Sequence, residues 1–408
     1  MREADFDRLR SEVGDAVRQP GFPTVRRRAG RLRRRRVVTS GAVFLATVLA
    51  ATSLGYAVRG GPSAPVAGGP RDDSWPGMTT VAAVGTDLYG VVVSCQECAA
   101  ELYASSDGGE SWQLRTVPPE TGDRHEPRAA ALVPLGEGLL AWREFRTVSI
   151  DEALGATGPA ALDPLWITTN GGGAWFPAET GTQPVDAVPE GTALVDCEAM
   201  RIADCTVGAV DPATGRLAPL AAQPTGITVQ PLWPAMVSAP PGDRLWVSGL
   251  DPVTRKPAVA TSSDAGRSWR THVFADGVAA PDNDTLGALP QVSAGSGATA
   301  YALTARGADE VDVHYSDDGG KTWRTGDRIR DARPSGAFVA ADGSLILRAG
   351  SGFAAGRGAG LFTPVTLPGY PLDSVALPQV TSGRYVLPGE TGPYLSEDGR
   401  TWRKVRLP

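Results

Sequence analysis

The chain of 408 residues is poor in the side chains that most often carry chemistry: it has three histidines, His125, His272 and His314, and four cysteines. The histidines show no metal-ligand spacing, which argues against a His-built metal site. No Gly-x-Ser-x-Gly stretch occurs, so a nucleophile elbow is excluded. Gly320-Lys321-Thr322 mimics the end of a phosphate loop, yet Tyr315 stands where that loop needs its first glycine. Lysine occurs only as Lys256, Lys321 and Lys404, a bias toward arginine that reads as codon usage and not as chemistry. From Met78 onward no convincing long helical stripe appears, only short β runs separated by Gly, Pro and Asp.

The cysteines are too few and wrongly spaced for zinc. Cys95 and Cys98 frame Gln96-Glu97, but a zinc site of that type wants a second close pair, and Cys197 and Cys205 are eight positions apart. Two local disulfides, Cys95–Cys98 and Cys197–Cys205, are the better reading. Each closes a short loop and contributes at most roughly 2 to 3 kcal/mol in the chain-entropy picture. A redox Cys-x-x-Cys is the alternative, although nothing near it resembles the helix N-terminus that lowers a thiol pKa.

Charge is distributed unevenly. Residues 1–36 hold 12 Arg against 5 acids, a net of +7, and the remainder holds 27 basic against 40 acidic residues, a net of −13. Such an acidic body is a poor partner for nucleic acid, whose phosphates need a basic face. Within the first segment, Phe6, Leu9, Val13, Ala16 and Val17 share one helical stripe that ends at Pro20 and Pro23. It predicts a short amphipathic helix in a cytoplasmic tail, or a docking helix for a cytoplasmic partner.

Residues 37–58 carry no charge and follow the run Arg31-Leu32-Arg33-Arg34-Arg35-Arg36. Twenty-two residues in a helix span roughly 33 Å, enough for a hydrocarbon core of about 30 Å. The arginines predict a cytoplasmic N-terminus and a single transmembrane helix. A cleavable signal competes, since Gly55-Tyr56-Ala57 would pass as a cleavage site, but a charged region of 36 residues ahead of the apolar core is too long for an ordinary signal. Residues 59–74, rich in Gly and Pro, read as a linker, and 75–408 as the extracytoplasmic body.

That body is organised by a repeat. Ser105-Ser106-Asp107-Gly108-Gly109-Glu110-Ser111-Trp112 recurs as Ser262 to Trp269, with Asp264, and as Ser316 to Trp323, with Asp318. Two degenerate copies run from Thr168 to Trp175, with Asn170, and from Ser396 to Trp402, with Asp398. An Asp or Asn accepts bonds from nearby N–H groups, Gly supplies positive φ, and Trp opens a strand with a large ring to bury. A supersecondary unit repeated five times is the sign of a repeat architecture.

The repeat resembles the Asp-box, or bacterial neuraminidase repeat, of sialidases, sortilin-like receptors and the photosystem II stability/assembly factor family. The resemblance implies an all-β fold, a β-propeller in which each box closes the turn between the two outer strands of a blade, away from the ligand face. With the boxes as phase markers, blades are expected at about 76–118, 128–180, 228–275, 289–330 and 372–408. Two blade-long gaps complete seven blades of roughly 48 residues, inside the usual period of roughly 40 to 50. In the first gap, Asp211 to Arg216 supplies a turn where the box should be. The box residues Asp107, Trp112, Asn170, Trp175, Asp264, Trp269, Asp318, Trp323, Asp398 and Trp402 are then scaffold.

Sialidases would imply an Arg-Ile-Pro motif. Arg201-Ile202 is followed here by Ala203, and Arg328-Ile329 by Arg330, so the motif is absent. No catalytic residue and no cofactor is expected on that ground. Function is expected on the face opposite the boxes, where the candidates are Arg124, His125, Arg128, Arg146, Arg201, Arg255, Lys256, Asp282, Asp284 and Arg306. Three classes follow: a non-catalytic binder of a protein or cell-surface glycan, a divergent exo-glycosidase, or a membrane-complex assembly factor.

Overall fold

The computed structural model describes residues 77–93, 99–119, 128–146, 165–179, 181–189, 193–197, 205–229, 244–281, 288–295, 297–307, 309–332, 334, 337–372, 378–381, 384–389 and 392–407. The expected cytoplasmic helix, the apolar segment 37–58 and the linker lie outside the described residues. Among the described residues no α-helix is found, and none is long and apolar enough to cross a membrane.

The described chain is an all-β propeller. Six antiparallel four-stranded sheets follow one another, each ordered as it occurs in sequence. The first contains β1 (Gly77–Val84), β2 (Asp87–Val93), β3 (Glu101–Ser105) and β4 (Gln113–Arg115). The second contains β5 (Arg128–Gly136), β6 (Leu139–Arg146), β7 (Leu165–Thr168) and β8 (Phe176–Pro177). After an incomplete sheet come β12 (Thr228–Val229), β13 (Leu245–Leu250), β14 (Pro257–Ser262) and β15 (Arg270–Val273). They are followed by β16 (Gln291–Ala294), β17 (Ala300–Ala305), β18 (Glu310–Ser316) and β19 (Arg324–Arg330). The last two sheets are β20 (Phe338–Val339) to β23 (Thr363–Val365), through β21 (Leu345–Ala349) and β22 (Gly352–Gly356), and β24 (Gln379–Thr381) to β27 (Arg403–Lys404), through β25 (Arg384–Leu387) and β26 (Tyr394–Ser396).

The blade count corrects the expectation of seven. Six blades are complete, and the stretch expected to form another gives a three-stranded sheet of β9 (Ala193–Cys197), β10 (Cys205–Val210) and β11 (Leu217–Pro219). Instead of supplying a first strand, residues 179 and 181–185 run parallel along the outer edge of β11. Leu217 donates its N–H to Glu179 at 3.1 Å, Gly181 to Leu217 at 2.7 Å, and Val185 to Pro219 at 2.9 Å. The local sequence explains the detour. Pro184 and Pro189 lack the N–H that an inner strand would need on its ladder. Val185, Ala187 and Val188 instead pack into the cluster around Leu220 and Leu245.

Burial follows position in the blade. β14 is buried at all six positions because neighbouring sheets cover both its faces, whereas the outer strand β4 is exposed at all three. The cores lie between sheets. Leu102 and Tyr89 meet Leu140 and Trp142 between the first two sheets, and Val81, Ala83 and Leu88 meet Val386, Leu395 and Val405 between the first and last. The ring is thus closed by apolar packing of one sheet on another. The first and last sheets share no strand.

Candidate functional site

Alternating strand direction sorts the connections onto two ends of the ring. The five repeat turns lie between third and fourth strands, beside the turns that join first and second strands. Gly171 of one repeat donates to Gly138 at 2.8 Å, and Gly319 of another to Ala298 at 2.8 Å. These turns define a box end.

The polar atoms of the box end are used internally. The hydroxyl of Ser105 accepts the Gly109 N–H at 2.8 Å and donates to Asp107 at 2.7 Å. Asp107 also accepts the Ser111 N–H at 2.9 Å and its hydroxyl at 2.5 Å. The same wiring recurs at Asp264 with Ser262 and Ser268, and at Asp318 with Ser316 and Thr322. Asn170 keeps part of it, accepting from Thr168 and Ala174 at 2.9 Å each, and Asp398 accepts from Ser396, Arg400 and Thr401.

These bonds favour the ionised form. The Ser111 hydroxyl and N–H hold Asp107 well below the usual carboxylate range, and Thr322 does the same for Asp318, pushing it down to about 2. Carboxylates so held have no proton to give at neutral pH, which disqualifies them as general acids.

The tryptophans are less uniform than the repeat suggests. Trp402 is buried, whereas Trp112, Trp175, Trp269 and Trp323 are half-buried. Trp175 and Trp269 reach back to the preceding sheet, donating Nε1–H to the carbonyls of Thr116 and Ala222 at 2.8 Å.

The opposite end carries the predicted binding face. Arg124, His125, Arg201, Asp282 and Asp284 lie outside the described residues, as do Cys95 and Cys98. Arg128 and Arg146 are Cα partners at the open end of the β5–β6 pair, which places both at this end. The three candidates whose side chains are described are latched to the protein itself. Arg255 donates from Nε to Ala280 at 3.0 Å and from Nη2 to Pro281 at 2.9 Å, and Lys256 donates to the carbonyl of Ala275. Arg306 binds Asp312 at 2.6 Å and the carbonyl of Asp276 at 2.8 Å. Together they pin the connection that leads from β15 to β16.

Sequence reasoning missed the polar centre beneath that latch. Asp312, with a side chain only 6% exposed, takes Arg306 on one oxygen and Arg328 on the other at 2.9 Å. Partial burial raises its pKa, but the two guanidiniums outweigh this and hold it low. Two positions along β18, His314 is buried with Nε2 3.0 Å from the Thr304 hydroxyl and Nδ1 3.3 Å from that of Thr325. Phe274 stacks on His314 with ring centroids 4.2 Å apart, and His272 lies against Phe274 at 4.9 Å. Burial pushes the His314 imidazole down to about 4, leaving it neutral at neutral pH. A signal was present in the sequence: Val311-Asp312-Val313-His314 puts polar groups into an otherwise apolar strand. With both oxygens of Asp312 engaged, and both ring nitrogens of His314 facing hydroxyls, the arrangement stitches two sheets together and offers no acid–base pair. Among the described residues no group of His, Cys, Asp or Glu is arranged to hold a metal ion.

A second feature escaped the sequence. β12 ends at Val229 and β13 begins at Leu245, a first-to-second connection of which only Arg244 lies among the described residues. Arg244 at its close donates to the Gly297 carbonyl at 2.6 Å.

No family model matches the chain, and no curated protein does. Among solved structures the chain is similar to one from an analysis of two prolyl endopeptidases, at 13% identity and a TM-score of 0.44, with 82% of this chain and 49% of that one covered. It spans about half the length of that protein. It is also similar to the Hadza microbial sialidase Hz136, at 15% identity and a TM-score of 0.37, covering 70% of this chain and 65% of that one. YCF48 bound to D1 peptide is similar at 15% identity and a TM-score of 0.32, with 81% of each chain covered.

Proposed function

We propose that this chain is a membrane-anchored, extracytoplasmic propeller that binds a protein or cell-surface glycan without catalysing a reaction. The observation that carries the reading is the contrast between the two ends of the ring. The described box-end turns are short, and the repeat turns among them spend their hydroxyls and carboxylates on their own backbone. Connections at the other end include residues 116–127, 147–164 and 274–290, lengths that suit recognition more than closure. A fold of this kind hosts many activities, so function follows from the site and not from the architecture.

The anchor is residues 37–58, with the arginine-rich segment in the cytoplasm and residues 75–408 outside the plasma membrane. The amphipathic stripe at residues 5–17 then has room to engage a cytoplasmic partner. The test is affinity capture with the domain from Trp75 onward, run beside a hydrolysis screen on sialosides and other aryl glycosides. Specific retention of a ligand without turnover supports the reading. Turnover of any glycoside replaces it with a divergent glycosidase, and recovery of a whole membrane complex replaces it with an assembly role.

A further inference from the structure

Two turns of this chain share one six-residue plan. Asp211-Pro212-Ala213-Thr214-Gly215-Arg216, between β10 and β11, is matched by Asp251-Pro252-Val253-Thr254-Arg255-Lys256, between β13 and β14. Their backbones bond alike: the fifth residue donates its N–H to the carbonyl of the first, from Gly215 to Asp211 at 2.7 Å and from Arg255 to Asp251 at 2.8 Å. The fifth residue is left-handed in both, with φ of +71° at Gly215 and +57° at Arg255. Glycine adopts that conformation freely, whereas arginine does so under strain, and strain persists where a further contact holds it in place.

At Arg255 that contact is a clamp. Its Nε and Nη2 donate to the carbonyls of Ala280 and Pro281 at 3.0 and 2.9 Å, and its own carbonyl accepts the Ala280 N–H at 2.9 Å. Lys256 donates to the Ala275 carbonyl, and the Pro257 carbonyl accepts the Phe274 N–H at 3.0 Å. These bonds join residues 251–256 and 274–281 into one unit, seated in the core through the buried Phe274 and Ala280. The side of the unit that meets solvent is apolar. Val253 is 87% exposed and Val278 45%, and Pro252, Ala275, Ala279 and Pro281 are exposed with them. The polar side chains are engaged within the unit: both cations hold carbonyls, and the Asp251 carboxylate accepts the N–H groups of Val253 and Thr254 and the Thr254 hydroxyl. An exposed carboxylate, Asp276, stands at its edge.

We propose that this clamped unit is a docking platform for a protein segment that carries an aliphatic or aromatic side chain next to Lys or Arg; this rests on the binding reading above and selects protein over glycan. A sugar is held through its hydroxyls, and Arg255, Lys256 and Asp251 are already engaged within the unit. An apolar side chain needs no such partner and gains by covering Val253 and Val278. The basic neighbour follows from charge. Asp276 stands at the edge, and the chain beyond residue 36 carries a net charge of −13, so a cation beside the apolar anchor is attracted and an anion repelled. Arg255 acts as a positioning residue. By fixing residues 280 and 281 before a partner arrives, it leaves less ordering to be done on binding.

The test uses the full-length chain in detergent micelles and a phage-displayed library of random peptides. Enriched peptides should share an apolar residue beside Lys or Arg. Val253→Asp should weaken a synthetic copy of the best peptide by roughly tenfold or more at an unchanged melting temperature. Leu361→Asp, at an 82% exposed position of the box end, should leave its affinity unchanged. Arg255→Gly keeps the turn, since Gly215 fills the same place in its twin, but should speed amide exchange at Ala280 and lower the peptide's affinity. Unchanged affinity in that variant overturns the positioning role. An acidic or wholly polar consensus, binding that survives Val253→Asp, or no enrichment overturns the platform. Retention of a ligand on another surface would then leave the binding reading standing. Glycoside turnover would remove that reading without altering the peptide result.

Discussion

At the scale of single residues, the repeat separates groups that fix a turn from groups that fill a core. Asp264 accepts the N–H and hydroxyl of Ser268 at 2.9 and 2.6 Å. Asp264→Ala strands those donors, but both are near water, so the expected loss is about 1 to 2 kcal/mol by chemical denaturation, with ligand binding unchanged where the variant is folded. Lost binding at an unchanged melting temperature would make the box turns the working surface. Trp402 is different in kind. It is buried against Phe338, Tyr370 and Tyr385, so Trp402→Ala should lower stability by about 3 to 5 kcal/mol. The same change at Trp112, Trp269 or Trp323 should be milder, because those residues are only partly buried; equal losses at all four would contradict the burial pattern. Gly109 shows why the turn also needs glycine: its φ is +93°, and a Cβ there would stand 2.7 Å from Val405 of the last sheet.

At the scale of the element, β18 and its neighbours carry a pH dependence. His314 is neutral when folded, with a pKa of about 4 against an ordinary value of 6.5. Asp312 and Asp276 pull that value up, while Arg306, His272 and above all burial push it down. The unfolded chain therefore binds the proton first as pH falls. The contribution is complete above about pH 6.5 and lost on the way to pH 4, by up to about 3 kcal/mol. Stability of the wild type and of His314→Gln, measured across that window, should differ in slope, and parallel curves would remove His314 as the cause. The β9–β10 pair makes a second prediction. Cys197 and Cys205 are Cα partners in its register, which suits the expected disulfide. Peptide mapping of the native domain should recover Cys197 linked to Cys205; free thiols, or links to Cys95 or Cys98, would contradict it.

At the scale of the whole molecule, the proposed membrane topology rests on charge. Twelve arginines precede the apolar segment, and only Arg59 and Arg71 lie between it and Trp75, which predicts the N-terminus inside and the propeller outside. A C-terminal fusion to a reporter that works only in the cytoplasm should be silent, and an active fusion would reverse the topology. The ring is closed without a shared strand: the last sheet meets the first through Val386, Leu395 and Val405, and Arg403 donates from Nη2 to the Gly108 carbonyl at 3.3 Å. Both described ends of the chain, Gly77 and Leu407, emerge at the end opposite the repeat turns, one from a first strand and one after an outer strand.

The repeat was legible because its chemistry is local. Ser105, Asp107, Gly109 and Ser111 satisfy one another within a few residues, so spacing alone determined turns, blade phase and the division of the ring into two ends. The blade count was not legible in the same way. Whether residues 179–185 become an inner strand or an outer companion of β11 depends on Pro184, Pro189 and on what the apolar side chains of Val185 and Val188 meet, and those partners lie in other sheets. The fate of Arg255, Lys256 and Arg306 was decided at the same level. Read along the chain they are exposed cations in loops, yet folding brings carbonyls of residues 275–281 and the carboxylate of Asp312 within their reach. The sequence by itself determined which turns the chain makes, because a turn is satisfied by neighbours in sequence; only the tertiary structure decided which strands complete a blade and which charges remain free, because those depend on groups that folding brings from far away.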